Sequence, residues 1–439
     1  MGRNFNWNTA RLVCLAIATL SVALMCAAPA EASSKPHART KAAHPAGTAR
    51  TVSAKAARVK SQSVTRRPGK VSAATSRTKG RAASVRPVTY RRTRGGVRTL
   101  VAVRRTRHNF SERFTASSFA DNLTAGDATA GENPVVRAAA IDALGNMNGT
   151  ALAIDPSSGR ILAMVNQKLA LSSGAEPCST IKLAVGLAAL DEGLVKRDTP
   201  VNLGGHYTMT LTKALALSIN PYFETLGRML GFERVKHYAN MFGLGELAGY
   251  NIPGEQLGVY PDTALPEAKG GVGRMCSFGE SISMTPLQLG ALVSAIANGG
   301  TLYYLQHPQT AEEIAGFEPK VKRLLDIAPL IPEMHDGMEG AVQYGTARSL
   351  RATFREFPVL GKTGTCSNNG TRFGWFASYA ETPAGRIVTV IFLEGGRPTF
   401  GPKAAELTGA FYRGLWDRSY FEPKTAQMAA AFPTARANP

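Results

Sequence analysis

The sequence predicts an α+β fold: a mostly antiparallel five-stranded sheet flanked by helices, with an inserted all-helical subdomain, carried by residues 136–422. Three observations predict it. Two apolar runs around a Pro/Gly turn stand at the start of this region. Three strand-like runs stand near its end. Helical patterns fill the stretch between them.

Taken in order, Thr150–Ile154 and Arg160–Val165 flank Asp155-Pro156-Ser157-Ser158-Gly159 and read as a β-hairpin. Ser179 to Leu190 (STIKLAVGLAAL) has a helical apolar pattern that ends near Gly193. Further helical stretches cover 211–218, 221–230, 233–242 and 286–298. The last is framed by Thr285-Pro286, a good N-cap and first-position pair, and by Gly299-Gly300. Another helix is expected around 329–350. Strands return at Val359–Thr365, Phe373–Ala380 and Arg386–Leu393, and a helix over 402–416 closes the region. Residues 423–439 read as a flexible C-terminal tail, and no internal repeat is present.

The charge is uneven. The chain carries 51 Lys and Arg against 31 Asp and Glu, a net of +20. Residues 33–108 hold 21 of the basic residues and no acidic one, and residues 1–32 net +1, so residues 109–439 net −2. A near-neutral globular part argues against a basic enzyme wrapped on nucleic acid. Residues 33–108 have a single aromatic, Tyr90, and cannot bury enough apolar surface to order themselves. They read as a basic disordered tail: either an electrostatic tether to an anionic envelope polymer or membrane surface, or a solvated spacer. Residues 109–135 read as a transition segment.

Arg3 and Arg11 precede an apolar run from Leu12 to Ala28, followed by Ala30-Glu31-Ala32. That is the pattern of a secretory signal over 1–32 cut after Ala32, the alternative being an uncleaved anchor over 12–30. The chain is therefore expected to be exported, to the periplasm or cell envelope. Beyond this segment remain Cys178, Cys276 and Cys366, enough for one internal disulfide at most. With no C-x-x-C or H-E-x-x-H spacing and seven His, neither a metal nor another cofactor is expected.

Three small motifs carry the candidate chemistry. In Ser179-Thr180-Ile181-Lys182 a Ser at a helix start meets a Lys one turn on. Apolar neighbours lower such a lysine's pKa and make it a usable base, which a weakly nucleophilic hydroxyl needs. About two S-x-x-K matches arise by composition in a chain this long. A second one, Ser76 to Lys79, lies in the basic tail without helical context and is set aside. Ser218-Ile219-Asn220 joins two predicted helices; it offers a proton relay and an amide that donates and accepts, or simply a helix cap before Pro221. A rival S-x-N stands at Ser367 to Asn369. Lys362-Thr363-Gly364-Thr365 contains the one K-T-G, in a predicted strand, where Gly admits a close approach while Lys and the Thr hydroxyls can bind a carboxylate.

The order Ser-x-x-Lys, Ser-x-Asn, Lys-Thr-Gly is that of penicillin-binding proteins and class A β-lactamases. The surrounding segments extend the match. ALAIDPSSGRILAMV, SINPYFETLGRMLG, FGESISMTPLQLGALVSAIANGG and KTGTCSNNGTRFGWFASYAE resemble penicillin-binding protein transpeptidase domains over about 136–420. The resemblance implies the β-lactamase/transpeptidase-like fold. It implies a cell-envelope serine D,D-acyltransferase, transpeptidase or carboxypeptidase, acting on D-Ala-D-Ala stem peptides of peptidoglycan and acylated by β-lactam antibiotics.

Carried over by position, Ser179 is the acylated nucleophile and Lys182 its base. Ser218 shuttles the proton to the leaving amine, and Asn220 binds the substrate amide and orients Lys182. Lys362 supplies positive potential, while Thr363 and Thr365 hold the substrate carboxylate. The N–H groups of Ser179 and Thr365 form the oxyanion hole. Two other readings share the fold. One is a serine β-lactamase, for which no E-x-x-L-N match is found but a carbamylated Lys182 remains open. The other is a non-catalytic wall-binding or penicillin-sensing protein.

Against the family pattern, Cys178 replaces a common Gly, Ile181 and Leu183 replace Phe and Pro, and Cys366 follows the third motif. Buried or free thiols are the expectation for the cysteines; a redox-sensitive disulfide from Cys178 to Cys366 or Cys276 is the alternative. Large family members carry an accessory or glycosyltransferase domain. Here a stand-alone catalytic domain on a basic leash is expected, unlike a main synthase of division or elongation.

Overall fold

The computed structural model describes residues 113–422. The expected signal segment, the basic tail, the Ser76–Lys79 motif and the tail 423–439 lie outside the described residues.

Helix α1 (Pro134–Leu144) opens the ordered core. Asn133 Oδ1 accepts from the N–H groups of Val135 and Val136, and Pro134 sits where no donor is needed. No element is predicted there from sequence, although Asn133-Pro134 is the same type of signal as Thr285-Pro286. Strands β1 (Gly149–Asp155) and β2 (Arg160–Val165) form the first hairpin. A short helix α2 (Gln167–Ala170) follows, and a 3-10 turn over Cys178–Ile181 runs into α3 (Lys182–Asp191).

The small hairpin β3 (Val201–Asn202) and β4 (Thr208–Met209) precedes the helices α4 (Leu211–Leu217), α5 (Asn220–Leu230), α6 (Phe232–Met241) and α7 (Gly271–Phe278). Helix α8 (Pro286–Asn298) has the predicted cap: Thr285 and Gln288 form a reciprocal capping box, and Gly299 ends the helix at φ 95°. Then come β5 (Thr301–Tyr303), α9 (Ala311–Ala315), β6 (Val321–Leu324) and α10 (Ile331–Gln343).

The helix expected over 329–350 is shorter than predicted. It stops at Gln343, where Tyr344 leaves helical geometry at φ −139°, and the chain then packs on α4: Thr346 N–H donates to the Ala216 carbonyl at 3.1 Å, and a Cβ at Gly345 would lie 2.1 Å from that oxygen. Strands β7 (Val359–Asn368), β8 (Thr371–Thr382) and β9 (Gly385–Gly395) and helix α11 (Gly401–Asp417) complete the domain. The hairpin β7–β8 turns through Asn369 and Gly370, both at positive φ (48° and 75°), the geometry of a two-residue hairpin loop. Strand β7 therefore runs past the predicted end at Thr365.

The main sheet has the order β2-β1-β9-β8-β7 with antiparallel pairing throughout, so β7 is an edge strand. Alternate residues serve opposite faces. Ala151, Ala153, Phe376 and Ile391 pack under α1 and α11, whereas Leu152, Ile154, Trp375 and Val390 pack against the core built from α3, α5 and α8. Both faces are buried, which explains why the strands read as nearly continuous apolar runs.

Residues 113–133 are part of this structure. Arg137 pairs with Asp127 at 2.8 Å and with Glu132 at 2.7 Å, and both carboxylates are almost wholly buried. Asp127 also accepts the N–H groups of Asn166 and Gln167, and His307 lies 3.0 Å from Glu132. This polar cluster pins the segment across β2 and α2. No helix among the described residues is long and apolar enough to cross a membrane.

Candidate active site

The three motifs converge where α3, the α4–α5 junction and β7 meet. Ser179 lies in the 3-10 turn and Lys182 is the first residue of α3. Side chains three residues apart eclipse in a 3-10 turn, which brings the pair together. Lys182 Nζ is 3.0 Å from Ser179 Oγ. The approach differs from the regular helix start expected from sequence: the turn is entered through Cys178 at φ 52°, a left-handed conformation that side chains other than Gly adopt at a cost.

Ser218 caps the C-terminus of α4 in the left-handed region at φ 56°, and Asn220 begins α5. That kink turns both side chains toward Lys182. The Lys182 amine donates to the Ser218 carbonyl (3.0 Å) and to Asn220 Oδ1 (2.6 Å), and Ser218 Oγ lies 3.1 Å away. On the other side Lys362 donates to Ser218 Oγ (2.9 Å) and to the Thr363 carbonyl (2.9 Å). One hydroxyl thus links two amines. The helix-cap reading of Ser218 and its relay reading are both compatible with this geometry, since the backbone caps while the hydroxyl faces the lysines.

Both lysines are completely buried, and neither has a carboxylate in salt-bridge range among the described residues. Burial pushes Lys182 well below the usual amine range, Lys362 pushes it further, and Glu224 opposes. Burial alone lowers Lys362 to about 7. The Lys182 amine also sits 5.3 Å from the Phe223 ring centroid. Two of its contacts, the Ser218 carbonyl and Asn220 Oδ1, can only accept. In the free-base form they take its two N–H bonds, and the lone pair is left for a hydroxyl proton.

On β7, Thr363 and Gly364 are buried and Thr365 is half-buried at the cleft. Gly364 is needed for contact: a Cβ there would lie 2.8 Å from the Pro177 carbonyl oxygen and 3.3 Å from Cys178 Cβ. Thr365 Oγ1 accepts from the Gly401 N–H at 2.8 Å, which leaves its own proton free to donate. Thr363 Oγ1 is 2.6 Å from Thr346 Oγ1. Every predicted site residue therefore lies in one cluster. The rival Ser367 and Asn369 stand at the exposed end of the β7–β8 hairpin, with no hydrogen bond to either lysine.

Several residues were not legible as site components. Thr346 positions Thr363, and Trp375 Nε1 donates to the Glu176 carbonyl at 3.0 Å, fixing the approach to the Ser179 turn. Glu176 itself is raised to about 7 by burial and by Glu280, against Arg274. None of these belongs to a short motif; only their place in the folded chain links them to the site. The expectation of free thiols is corrected at two positions: Cys178 and Cys366 form a disulfide, with Cα atoms 5.5 Å apart, while Cys276 is free and buried. The edge strand lies against the Ser179 turn, and this proximity lets the alternative pairing win. Among the described residues no cluster of three or more His, Cys, Asp or Glu could hold a metal ion.

The family model for the penicillin binding protein transpeptidase domain matches residues 149–413. Stage V sporulation protein D of Bacillus subtilis (strain 168) is 31% identical over 330 residues, covering 63% of this chain and 50% of that protein. Peptidoglycan D,D-transpeptidase MrdA of Acinetobacter baumannii is 24% identical, covering 60% of this chain and 50% of that protein. The chain thus spans about half the length of these relatives. A crystal structure of a peptidoglycan glycosyltransferase from Burkholderia ambifaria is similar with a TM-score of 0.56 at 20% identity, covering 67% of this chain and 98% of that one.

Proposed function

This chain belongs to the penicillin-binding protein transpeptidase family, and from that premise we propose that it is a cell-envelope serine D,D-acyltransferase acting on D-Ala-D-Ala stem peptides of peptidoglycan. The observation that carries the reading is the contact between Ser179 Oγ and the buried Lys182 amine, 3.0 Å apart.

In this reading Ser179 Oγ attacks the carbonyl carbon of the penultimate D-Ala, and its proton passes to the neutral Lys182 amine. The N–H groups of Ser179 and Thr365 receive the developing oxyanion, a type of interaction in which one donor contributes roughly 3–4 kcal/mol. Collapse breaks the peptide bond. The leaving D-Ala nitrogen takes its proton through Ser218 Oγ, which touches both lysine amines. An ester on Ser179 remains. An acceptor amine, or water, then attacks this ester with the proton flow reversed, and Ser179 is restored. Lys362, with Thr363 and Thr365, takes the substrate's terminal carboxylate. An anion arriving beside Lys362 favours its protonated form and offsets the burial that holds its pKa near 7. A β-lactam would enter as an acylating mimic of the same dipeptide.

The same reading assigns the tail 33–108, with its 21 Lys and Arg and no acidic residue, to an anionic envelope polymer or membrane surface in an exported chain. Sedimentation with purified cell walls tests it: binding should fall with salt and vanish on deleting 33–108. Unchanged binding would contradict it.

For the reaction itself, the test is incubation of the full chain with a stem pentapeptide, with and without an acceptor amine, alongside a chromogenic cephalosporin. Release of D-Ala or formation of a cross-linked product supports the proposal. Rapid cephalosporin turnover with no action on the peptide would make the protein a β-lactamase instead.

A further inference from the structure

One covalent bond joins the two walls of the site at an informative place. Cys178 immediately precedes Ser179, and Cys366 immediately follows Thr365. Each half of the disulfide is therefore the chain neighbour of one proposed oxyanion donor. The other restraints between these walls are not covalent. Strand β7 is an edge strand and, among the described residues, has no strand partner on its cleft side. The nucleophile turn contains a non-Gly residue at positive φ, Cys178 at 52°, a conformation that persists only where the surroundings impose it.

We propose that the Cys178–Cys366 disulfide is a positioning element for acyl transfer and a reversible switch on it. Closed, it holds the Ser179 and Thr365 N–H groups at the separation that one oxyanion bridges. Opened, it frees the turn from the edge strand, and acylation slows while the ground-state binding groups on β7 stay in place. This inference rests on the acyl-transfer reading above.

The chemistry of opening is thiol–disulfide exchange with a dithiol. A thiolate of the dithiol bonds to Cys366 Sγ, and Cys178 leaves as a thiolate and takes a proton. The second thiol of the dithiol then closes its own disulfide and releases Cys366. The cysteine pair gains two electrons and two protons, and the dithiol is oxidised. Cys366 is the reachable sulfur, because it is half-buried on a groove shared with Glu176, Arg274 and Glu280, whereas Cys178 is fully buried. Cys276 is no substitute: it is wholly buried and burial pushes its thiol up to about 12, so it is a poor exchange partner.

The test uses the full chain, oxidised, reduced by dithiothreitol, and reoxidised. Acylation of Ser179 by a fluorescent penicillin is followed by stopped flow, which separates the noncovalent Kd from the maximal acylation rate. Near-UV circular dichroism monitors the fold. Two variants accompany it: Cys178→Gly/Cys366→Ala, in which Gly tolerates the positive φ, and Cys276→Ala. Reduction should lower the acylation rate roughly 10²–10³-fold, the range for losing an oxyanion donor, with Kd unchanged and the rate restored on reoxidation. The double variant should be slow and insensitive to the dithiol, and Cys276→Ala should respond like the parent. Equal acylation rates in the two redox states would overturn the proposal. So would a rate loss that tracks a collapse of the dichroism signal, which would mark the bond as merely structural. If no Ser179 adduct forms in either state, the acyl-transfer reading itself fails, and this inference with it.

Discussion

Lys182 holds its amine 3.0 Å from the Ser179 hydroxyl while lying entirely out of solvent, with no carboxylate in salt-bridge range among the described residues. A buried, unpaired lysine works against stability, and such groups cluster where a perturbed pKa serves chemistry.

Replacement of Lys182 by Met tests that trade directly. Acylation of Ser179 by a penicillin should fall by roughly 10²–10⁴-fold, the range for losing a general base. Stability to denaturant should stay level or rise, because the variant buries no amine. A stability loss as large as the activity loss would make Lys182 a structural residue.

Lys362 makes a prediction about pH. Its pKa is about 7 folded against an ordinary 10.5, so the unfolded chain binds more protons across that window. Unfolding free energy from this group therefore rises with pH between those values and levels off outside them. Denaturant titrations from pH 7 to 9 should show a steeper rise for the parent than for Lys362→Met. Identical slopes would contradict the assignment.

Much of this site was legible in the sequence because its chemistry is local. Ser179 and Lys182 share one turn, Ser218 and Asn220 flank one kink, and Lys362 to Thr365 are consecutive. The three segments converge through the antiparallel sheet, and its strands were legible from apolar runs. What stayed hidden depends on close approach between distant segments. Thr346 meets Thr363 only because α10 packs beside β7, and Cys178 meets Cys366 only because the edge strand lies on the Ser179 turn. Helix α1 was hidden for another reason: its Asn133-Pro134 signal sits directly after a polar stretch that reads as a transition.

Gly364→Ala probes the contact between strand and turn. The new Cβ would meet the Pro177 carbonyl oxygen at 2.8 Å and Thr180 Cγ2 at 3.2 Å, pushing Ser179 away from β7. Acylation should drop about 10²-fold, as for a misplacement near 1 Å. Thermal melting should still show a cooperative, folded protein. Unchanged acylation would mean that the spacing of these walls is not limiting.

Arg137→Ala tests how residues 113–133 are held. It leaves Asp127 and Glu132 buried without their shared cation. Breaking such a pair costs about 3–5 kcal/mol, read as a lower denaturation midpoint. A change below about 1 kcal/mol would show that the segment is attached by other contacts.

The proposed mechanism depends on Ser179 being the acylated residue. Mass spectrometry of the full chain mixed with a penicillin, followed over time and mapped by peptide, with Ser179→Ala as control, tests it most directly. A long-lived adduct of one penicillin is expected on the peptide containing Ser179, absent from the variant. No adduct, or an adduct that survives the substitution, would contradict it.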